Sequence, residues 1–479
     1  MCDLIQSTAR EIITSLRNET VSPHELLDAL EKHINRVDGA VNALPVLCFD
    51  RARRAADQLL KLPMDERGIL CGLPLPIKDL DDVEGVRTSF GSLPFADNIA
   101  DQSCFLVEHL ETQGAIVYAK SNTPEFGAGG NTFNDVFGAT LNPWDLSKSA
   151  GGSSGGAAAA LASGTAWLAQ GSDNAGSLRS PASFCGIVGF RPTPGRVVRG
   201  PSVNPYQTLL SNGPMARNVE DVALFLDAMS GEDTRDPLSL PSPAASFLAA
   251  AQTRRKPLKV AFSPDLGITP VDPEVAEICK RAALQFEAAG IVVEEASPDF
   301  SGLHESYKTI RAFEFSLSMS KLPEETLAQL KPELAQNLAI GRNLNFDDVA
   351  RATETRSNIR NNIHKFYETY DLLLTPTTIV APFPVEQRFV ENCDGVQFDS
   401  YLDWLAIAYA ITLVSLPALS LPCGFTQSGL PVGLQMVGRA HGEADLLASA
   451  LLLEEALALD LCPVQSGYLV AEPALKGSA

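Results

Sequence analysis

Hydrophobic and polar positions follow two patterns along the chain, and the first sixty residues follow the helical one. Ser22, Pro23 and Glu25 have the order of a capping box with proline at the first helical position. The residues LLDALEKHI then continue with apolar positions at helical spacing. A second helix is predicted over about 49–61. This pattern predicts an N-terminal helical segment over residues 1–65.

From Gly68 onward the pattern changes to short apolar runs separated by glycine and proline. The run ILCGLPLPIKD predicts a buried strand that ends at Lys78, and FLVEHLETQGAIVYAK predicts a helix, a stop at Gly114 and a strand. Further strands are predicted at LKVAFSP, DLLLTPT and VGLQMVG, and a late helix at HGEADLLASALLLEEALAL. The alternation predicts a single large α/β domain whose mixed, mostly parallel sheet lies between helices.

One stretch of the sequence resembles a membrane-spanning segment. Residues 405–425, LAIAYAITLVSLPALSLPCGF, are long and apolar enough to cross a bilayer. Pro417 and Pro422 interrupt the helix that such a span requires. We therefore expect the end of a helix followed by a buried strand, and no association with a membrane.

Charge and cysteine content limit the classes of partner and compartment. The 479 residues include 37 Lys and Arg against 58 Asp and Glu, a formal net charge of −21, which repels phosphate backbones and anionic lipid. The nine cysteines form no CxxC pair, which favours reduced thiols over a disulfide scaffold or a zinc ribbon. The first residues carry acidic side chains and no apolar run, which argues against a signal peptide. We expect a cytoplasmic monomer or homodimer that binds no nucleic acid.

Two segments rich in glycine and serine hold the candidate chemistry. Residues 149–163, SAGGSSGGAAAALAS, predict a helix packed closely against its neighbour, because alanine adds little bulk; a flexible linker is the alternative. Residues 170–190, QGSDNAGSLRSPASFCGIVGF, place Ser177 among small residues. Such residues leave room for a substrate carbonyl and free backbone N–H groups to bind an oxyanion. The alternative is a serine in a tight strand-to-helix turn.

A serine nucleophile needs a base, and the six histidines supply no evident one. They fall in polar or amphipathic helical surroundings, or for His304 in a loop or helix start, and none lies at a glycine-rich strand end. Lys78, which ends the run LPLPIK, is the other candidate. A lone lysine at a strand end is usually a solvated charge, and it serves as a base only where burial lowers its pKa.

Three segments together resemble the amidase signature family of serine hydrolases: PIKDL, GGSSGG and GSDNAGSLRSPASFCGIVGFRPTPGR. The spacing of 24 positions from Ser153 to Ser177 fits the family. Further segments are similar to the family in family order, namely SNTPEFG, LNPWD, NGPMARNVEDVAL, LLLTPT and SLPALSLPCGFTQSGLPVGLQMVGR. The resemblance covers most of the chain, is weakest over 230–370, and implies the amidase signature fold with no cofactor and no metal.

The same resemblance divides the chain into three parts of one domain. Residues 1–65 form the helical segment, 66–228 the signature core, and 229–479 a C-terminal part that completes the sheet and the substrate pocket. The Pro- and Ser-rich stretch 231–245 is interpreted as a loop between two halves of that domain. A linker between separate domains is the alternative.

Roles for individual residues follow from the resemblance. It implies Ser177 as nucleophile, Ser153 as bridging serine and Lys78 as base. It also implies a cis peptide bond between Gly152 and Ser153. The backbone N–H groups of the family oxyanion hole correspond to Asn174, Ala175, Gly176 and Ser177, and the supporting hydrogen-bond positions correspond to Ser154, Asp173 and Arg179.

Two positions depart from the family pattern. Asn174 and Ala175 stand where the family commonly has Thr-Gly or Ile-Gly, and Arg191 replaces a common lysine. Only backbone N–H groups are needed at the first site, and the positive charge is kept at the second. Neither change puts the triad in doubt, although Asn174 can alter the shape of the pocket.

The lysine must be largely uncharged to act as a base. A free lysine with a pKa near ~10.4 is neutral in only about one molecule in 2,500 at pH 7, whereas burial lowers a lysine pKa by ~3–5 units. We therefore expect Lys78 to be dry, packed under LPLP and hydrogen-bonded to a serine. It would then take the Ser177 proton through Ser153 while Ser177 attacks an amide.

The function expected from these residues is hydrolysis of a small or mid-sized amide. Esters and carbamates are chemically accessible to the same site. The pocket is expected near 126–130, 200–212 and 305–345, where Tyr206 and Phe315, with Phe313, favour an acyl or aryl group unless they are ordinary core. Two alternatives remain: the glutaminase subunit of a tRNA-dependent amidotransferase, which needs a partner subunit, and a non-catalytic binding protein on this fold.

Overall fold

Helices and strands alternate through most of the chain. The computed structural model describes residues 4–461 and 463–464. Its helices are α1 (Ala9–Arg17), α2 (Pro23–Val41), α3 (Phe49–Leu59), α4 (Phe105–Thr112), α5 (Gly155–Ala162), α6 (Arg179–Cys185), α7 (Val219–Met229), α8 (Phe247–Gln252), α9 (Pro273–Ala283), α10 (Gln285–Ala288), α11 (Leu303–Met319), α12 (Glu324–Leu327), α13 (Pro332–Arg342), α14 (Phe346–Phe366), α15 (Ala406–Leu413) and α16 (Glu443–Leu457). Its strands are β1 (Val46–Leu47), β2 (Pro74–Lys78), β3 (Ile116–Ser121), β4 (Phe133–Asn134), β5 (Gly138–Ala139), β6 (Leu141–Asn142), β7 (Asp145–Ser149), β8 (Leu168–Asp173), β9 (Val188–Arg191), β10 (Ser211–Ala216), β11 (Lys259–Phe262), β12 (Val292–Glu295), β13 (Leu372–Pro376), β14 (Asn392–Cys393), β15 (Val396–Gln397), β16 (Ala418–Phe425) and β17 (Pro431–Val437).

The capping signals identified in the sequence form as predicted. The Ser22 Oγ accepts a hydrogen bond from the Glu25 backbone N–H at 3.3 Å, and the Glu25 carboxylate accepts one from the Ser22 N–H at 2.8 Å. These two bonds satisfy backbone donors that the first turn of a helix leaves without partners. The helix α2 accordingly begins at Pro23.

The main sheet has eight strands in the order β12-β11-β13-β17-β16-β9-β10-β8. The expectation of a mixed sheet is confirmed, but the expectation of a mostly parallel one is wrong. Only the pairs β12–β11 and β11–β13 are parallel, and the other five neighbouring pairs are antiparallel.

The antiparallel pairing of most neighbouring strands has a physical cause that the alternation of helices and strands in the sequence did not reveal. The strands β8 and β9 run the same way on either side of α6, but β10 inserts between them and is antiparallel to both. The strands β16 and β17 form a hairpin, since only a short turn separates them. The strand β2, with Lys78, belongs to a second sheet of order β1-β3-β2 rather than to the main one.

Both faces of the main sheet are covered. Every residue of β8, β10 and β17 is buried. Successive side chains in a strand point to opposite faces, so burial without alternation requires cover on both sides. The helices α6 and α9 pack against β16 and β17, while α7, α8 and α16 pack together, with α7 and α16 also touching the sheet. One contiguous apolar core includes residues of all three predicted parts of the chain.

The apolar stretch 405–425 is a helix followed by a buried strand, as predicted. It contains α15 and β16, and Pro422 lies where the register between β16 and β17 shifts. Within the described residues, none of the helices has the length and apolar character needed to cross a membrane. The seven cysteines of the described part are free thiols, and Cys2 and Cys462 lie outside it.

Candidate active site

Lys78 ends β2 in a fully buried position. Its side chain has 0% exposure, and its backbone N–H donates to the Gln170 Oε1 of β8 at 3.0 Å. Its Nζ donates to Ser153 Oγ at 2.7 Å, to Ser154 Oγ at 2.8 Å and to Ser172 Oγ at 3.1 Å. The expected burial and the expected hydrogen bond to a serine are therefore both observed.

Burial changes the charge state of this lysine. It lowers the pKa of Lys78 to about 7, although the carboxylates of Asp81 and Asp173 act in the opposite direction. At neutral pH about half of the amines are then uncharged. A lysine in this state can accept a proton, which a solvated ammonium cannot.

Two of the three serines bonded to Lys78, Ser153 and Ser154, belong to a glycine-rich turn that precedes α5. The peptide bond between Gly152 and Ser153 is cis. Gly151 has a φ of +75°, and a Cβ at this position would lie 2.7 Å from the Cα of Pro181. Every residue of α5 is buried, and a Cβ on Gly156 would lie 2.3 Å from the backbone N of Asn122. The glycines and alanines of 149–163 thus permit the close packing predicted from the sequence.

Ser177 lies in the turn between β8 and α6, which a buried carboxylate organises. Asp173 accepts hydrogen bonds from the backbone N–H groups of Gly176 at 2.9 Å and Leu178 at 3.1 Å. Arg179 donates to both oxygens of that carboxylate, from Nε at 3.0 Å and from Nη2 at 2.9 Å. Burial by itself would raise the pKa of Asp173, but Arg179 and Arg191 hold that pKa well below its usual range.

The four expected oxyanion donors differ in their hydrogen bonds. The Gly176 N–H donates to Asp173 Oδ1 at 2.9 Å. The N–H groups of Asn174, Ala175 and Ser177 have no protein acceptor in the part of the chain that the structure describes. This difference has a local cause, because the Asp173 carboxylate that orders the turn accepts the N–H of Gly176 in the middle of the turn. Sequence spacing alone does not reveal that bond.

Loss of Arg179 is expected to destabilise the fold. Its side chain is fully buried, pairs with Asp173, and also donates to the Ala408 carbonyl and the Thr412 hydroxyl, both at 3.0 Å. Removing one partner of a buried ion pair costs ~3–5 kcal/mol, because the other charge remains in the interior. We expect Arg179→Met to lower the free energy of unfolding by about this amount in urea titrations. The exposed pair Arg254–Glu455 offers the control, since Arg254→Met is expected to leave the free energy of unfolding nearly unchanged.

Ser153, Ser172 and Ser177 border a cavity of about 320 Å³. Its polar wall near the network includes Ser153, Ser172, Asn174 and Ser177. The three segments expected from the sequence, 126–130, 200–212 and 305–345, all contribute to its lining, but so do Leu80 and Phe90, which lie outside them. The side chains lining it elsewhere are Leu80, Phe90, Phe126, Gly127, Ala128, Gln207, Leu210, Arg311, Glu314, Phe315, Ser318 and Met319. None of these lining residues is a histidine.

Of the three aromatic residues expected in the pocket, only one lines the cavity. Phe315 lines the cavity, but Tyr206 is 71% exposed, Phe313 is 43% exposed, and neither reaches it. Phe313 lies on a different face of α11 from Phe315, which the segment assignment alone could not resolve. The sequence analysis also missed Arg311 and Glu314. Their spacing of three residues on one helix was the available signal.

A buried lysine bonded to serine hydroxyls beside a cavity is the arrangement of a serine hydrolase that uses lysine in place of histidine. The Amidase family profile matches residues 25–447, so the chain belongs to that family and is an amide hydrolase. The chain is 37% identical to the acylamidase of Rhodococcus erythropolis over 454 residues, which cover 93% of this chain and 94% of that protein.

Two further comparisons agree with this assignment. The chain is 35% identical to one component of the glutamyl-tRNA(Gln) amidotransferase of Moorella thermoacetica, over 95% of this chain and 97% of that one. Its fold matches the crystal structure of a bacterial aryl acylamidase of the amidase signature family with a TM-score of 0.88 and 26% identity, covering 98% of this chain and 99% of the other. The expected family and fold are thus confirmed.

Proposed function

We propose that this amide hydrolase works through an acyl-enzyme on Ser177, with Lys78 as the base and Ser153 as the bridge between them. One observation carries the proposal: the buried Lys78 Nζ lies 2.7 Å from Ser153 Oγ, beside the cavity that Ser153 and Ser177 both line. A lysine with a pKa of about 7 accepts a proton at neutral pH.

Each step of the reaction then has a group that performs it. Neutral Lys78 takes a proton from Ser153 as Ser153 takes one from Ser177, and the Ser177 oxygen attacks the amide carbonyl. The N–H groups of Asn174, Ala175 and Ser177 are the proposed donors to the resulting oxyanion. The proton returns to the leaving amine as the C–N bond breaks, and water hydrolyses the acyl-enzyme by the same relay.

The other residues of the site hold these groups in position. Ser154 receives a hydrogen bond from Lys78 Nζ and donates one to the Ser172 carbonyl at 3.3 Å, so it orients the amine. Asp173 and Arg179 hold the turn that carries Ser177. Position 152 has no room for a side chain, since a Cβ there would lie 2.9 Å from the Gly129 carbonyl oxygen.

The proposed substrates are small or mid-sized amides with an acyl or aryl group. Phe90 and Phe126 stack with ring centroids 6.0 Å apart, and both line the cavity together with Phe315. Aromatic walls of this kind favour flat or apolar groups. Esters and carbamates present the same carbonyl to Ser177, so we include them in the proposal.

A panel of acyl anilides, primary amides, aryl carbamates and esters tests this function. We expect the anilides to be hydrolysed and the esters and carbamates to be turned over at the same serine. Each substrate should therefore compete with the others, and its hydrolysis should be lost in Ser177→Ala. Ester hydrolysis that persists in Ser177→Ala while anilide hydrolysis stops would show that the two reactions do not share the site.

A second candidate function is that of a glutaminase component of an amidotransferase, which the relationship to the Moorella thermoacetica protein supports. It predicts release of ammonia from glutamine and co-purification with a partner protein. The aromatic lining of the cavity favours the acylamidase function over this one. Affinity purification from the native cell, followed by a glutamine-dependent ammonia assay, separates the two. A non-catalytic role is tested by labelling Ser177 with a fluorophosphonate, which only an activated serine takes up.

A further inference from the structure

The helix α11 brings charged side chains into a cavity whose other lining residues are uncharged. Arg311, Glu314, Phe315 and Ser318 line the cavity from one face of this helix. Their spacing of three, four and seven residues from Arg311 matches the helical repeat. The cavity thus has a charged wall in addition to its aromatic one.

Glu314 is a buried carboxylate on this wall without an ion pair. It is 8% exposed, and no Lys or Arg nitrogen of the described residues lies within 4.0 Å of its oxygens. With its amide nitrogen turned toward the carboxylate, Gln207 donates to Glu314 Oε2 at 3.0 Å and accepts from Arg199 Nη2 at 3.1 Å. No residue of the described part donates to the other oxygen, Oε1. A buried carboxylate in this position is costly unless it has a partner.

The surrounding charges favour an uncharged partner. Burial raises the pKa of Glu314 to about 7, while the guanidinium groups of Arg356, Arg199 and Arg311 act against that rise. Of these three cations only Arg311 lines the cavity with Glu314, and the carboxylates of Asp236 and Asp81 act on Arg199. Arg311 balances the charge of an ionised Glu314 on the cavity wall, so an ammonium group would gain no net attraction there, whereas a neutral hydroxyl or N–H can still donate to the carboxylate.

We propose that Glu314 is a specificity-determining residue, whose carboxylate accepts a hydrogen bond from an uncharged hydroxyl or N–H group of the substrate, remote from the scissile amide. The inference rests on the proposed function, because it assigns the substrate class of the same cavity. Substrates of this class combine an aryl or acyl body, which contacts Phe90 and Phe126, with a neutral polar end.

Binding to the Ser177→Ala protein tests the inference without turnover. The ligands are 4′-hydroxyacetanilide, 4′-methylacetanilide, which has a methyl group of similar size, and the cationic 4′-(aminomethyl)acetanilide. By titration calorimetry we expect the hydroxyl ligand to bind about tenfold more tightly than the methyl one, since a hydrogen bond to a charged acceptor has at least this effect. The cationic ligand should bind more weakly than the hydroxyl one.

Variants at Glu314 in the same Ser177→Ala background complete the test. Glu314→Met should bring the hydroxyl and methyl affinities within about twofold of each other, with little change for the methyl ligand. Glu314→Gln keeps a neutral acceptor, so it should retain part of the preference, and it serves if the Met variant does not fold. Glu305→Gln makes the same chemical change at an exposed position of α11 and should leave the preference intact.

The two proposals fail in different ways. Equal affinities for the hydroxyl and methyl ligands, a preference that survives in both Glu314 variants, or tighter binding of the cationic ligand would overturn the role of Glu314. Such a result leaves the proposed function in place if the wild-type protein hydrolyses anilides. A Glu314-dependent preference in a protein that hydrolyses none of the panel would overturn the proposed function and support the binding role.

Discussion

Hydrolysis of acyl anilides by Ser177→Ala is expected to fall by about 10⁴-fold or more. Removal of the nucleophile from a serine hydrolase has effects of this size, because the remaining donors stabilise the transition state without a covalent route. The loss should be in kcat, since the cavity that binds the substrate is kept. Steady-state kinetics on the panel of anilides measures it.

Ser180→Ala is the matched control. This serine lies three residues further along the chain, and its buried hydroxyl has no hydrogen-bond partner in the described part of the protein. Its loss should change kcat by less than about twofold. Mass spectrometry of the wild-type protein, quenched during turnover of an activated ester, should show the acyl group on the peptide that contains Ser177. A variant Ser177→Ala that keeps most of the wild-type kcat would contradict the assignment.

Lys78→Met is expected to lower kcat for the acyl anilides by a factor similar to that of Ser177→Ala. The pH profile of the wild type should show the reason for this loss. Methionine fills the same volume but accepts no proton. Burial lowers the pKa of Lys78 from its ordinary value to about 7, so the neutral base predominates above pH 7 and the ammonium below it. The kcat/KM of the wild type should therefore fall as the pH drops through about 7, approaching tenfold per pH unit well below it.

Two other buried groups at or next to the cavity titrate close enough to be confused with Lys78. Burial raises the pKa of Glu314 to about 7 and lowers the pKa of Lys331 to about 8. Glu314→Gln and Lys331→Met can change the height of the profile, but the acid midpoint should stay near pH 7 in both. A midpoint that disappears in either variant would move the kinetic pKa away from Lys78. The residual activity of Lys78→Met should in turn lack this midpoint.

The positions of the catalytic candidates could be predicted because they depend on local features. The apolar run LPLPIK predicts a buried strand that ends at Lys78, and the role of base implied by the resemblance required that lysine to be buried, as it is. The glycines around Ser153 and the small residues around Ser177 signal close backbone approach, and the Gly151 and Gly156 contacts show why larger residues do not fit. These signals are readable because each depends on residues adjacent in the chain.

The pairing of the strands and the polarity of the cavity could not be predicted in the same way. The position of β10 between β8 and β9 depends on contacts between segments about 25 to 50 residues apart, and alternating helices and strands are compatible with either direction. Glu314 meets Gln207 across about a hundred residues of sequence. The engagement of the Gly176 N–H by Asp173 depends on the shape of one turn. None of these three features is encoded by a periodic pattern in the sequence.

Local sequence patterns therefore specify the helix and strand positions, the family and the identity of the lysine and serine candidates, because hydrophobic periodicity and short glycine-rich motifs encode them. Only the folded chain specifies which strands pair, which backbone donors remain available to a substrate, and which charged side chains face the cavity. Those properties depend on distances between segments remote in the chain, and burial then sets the pKa values of Lys78 and Glu314 on which the proposed chemistry depends.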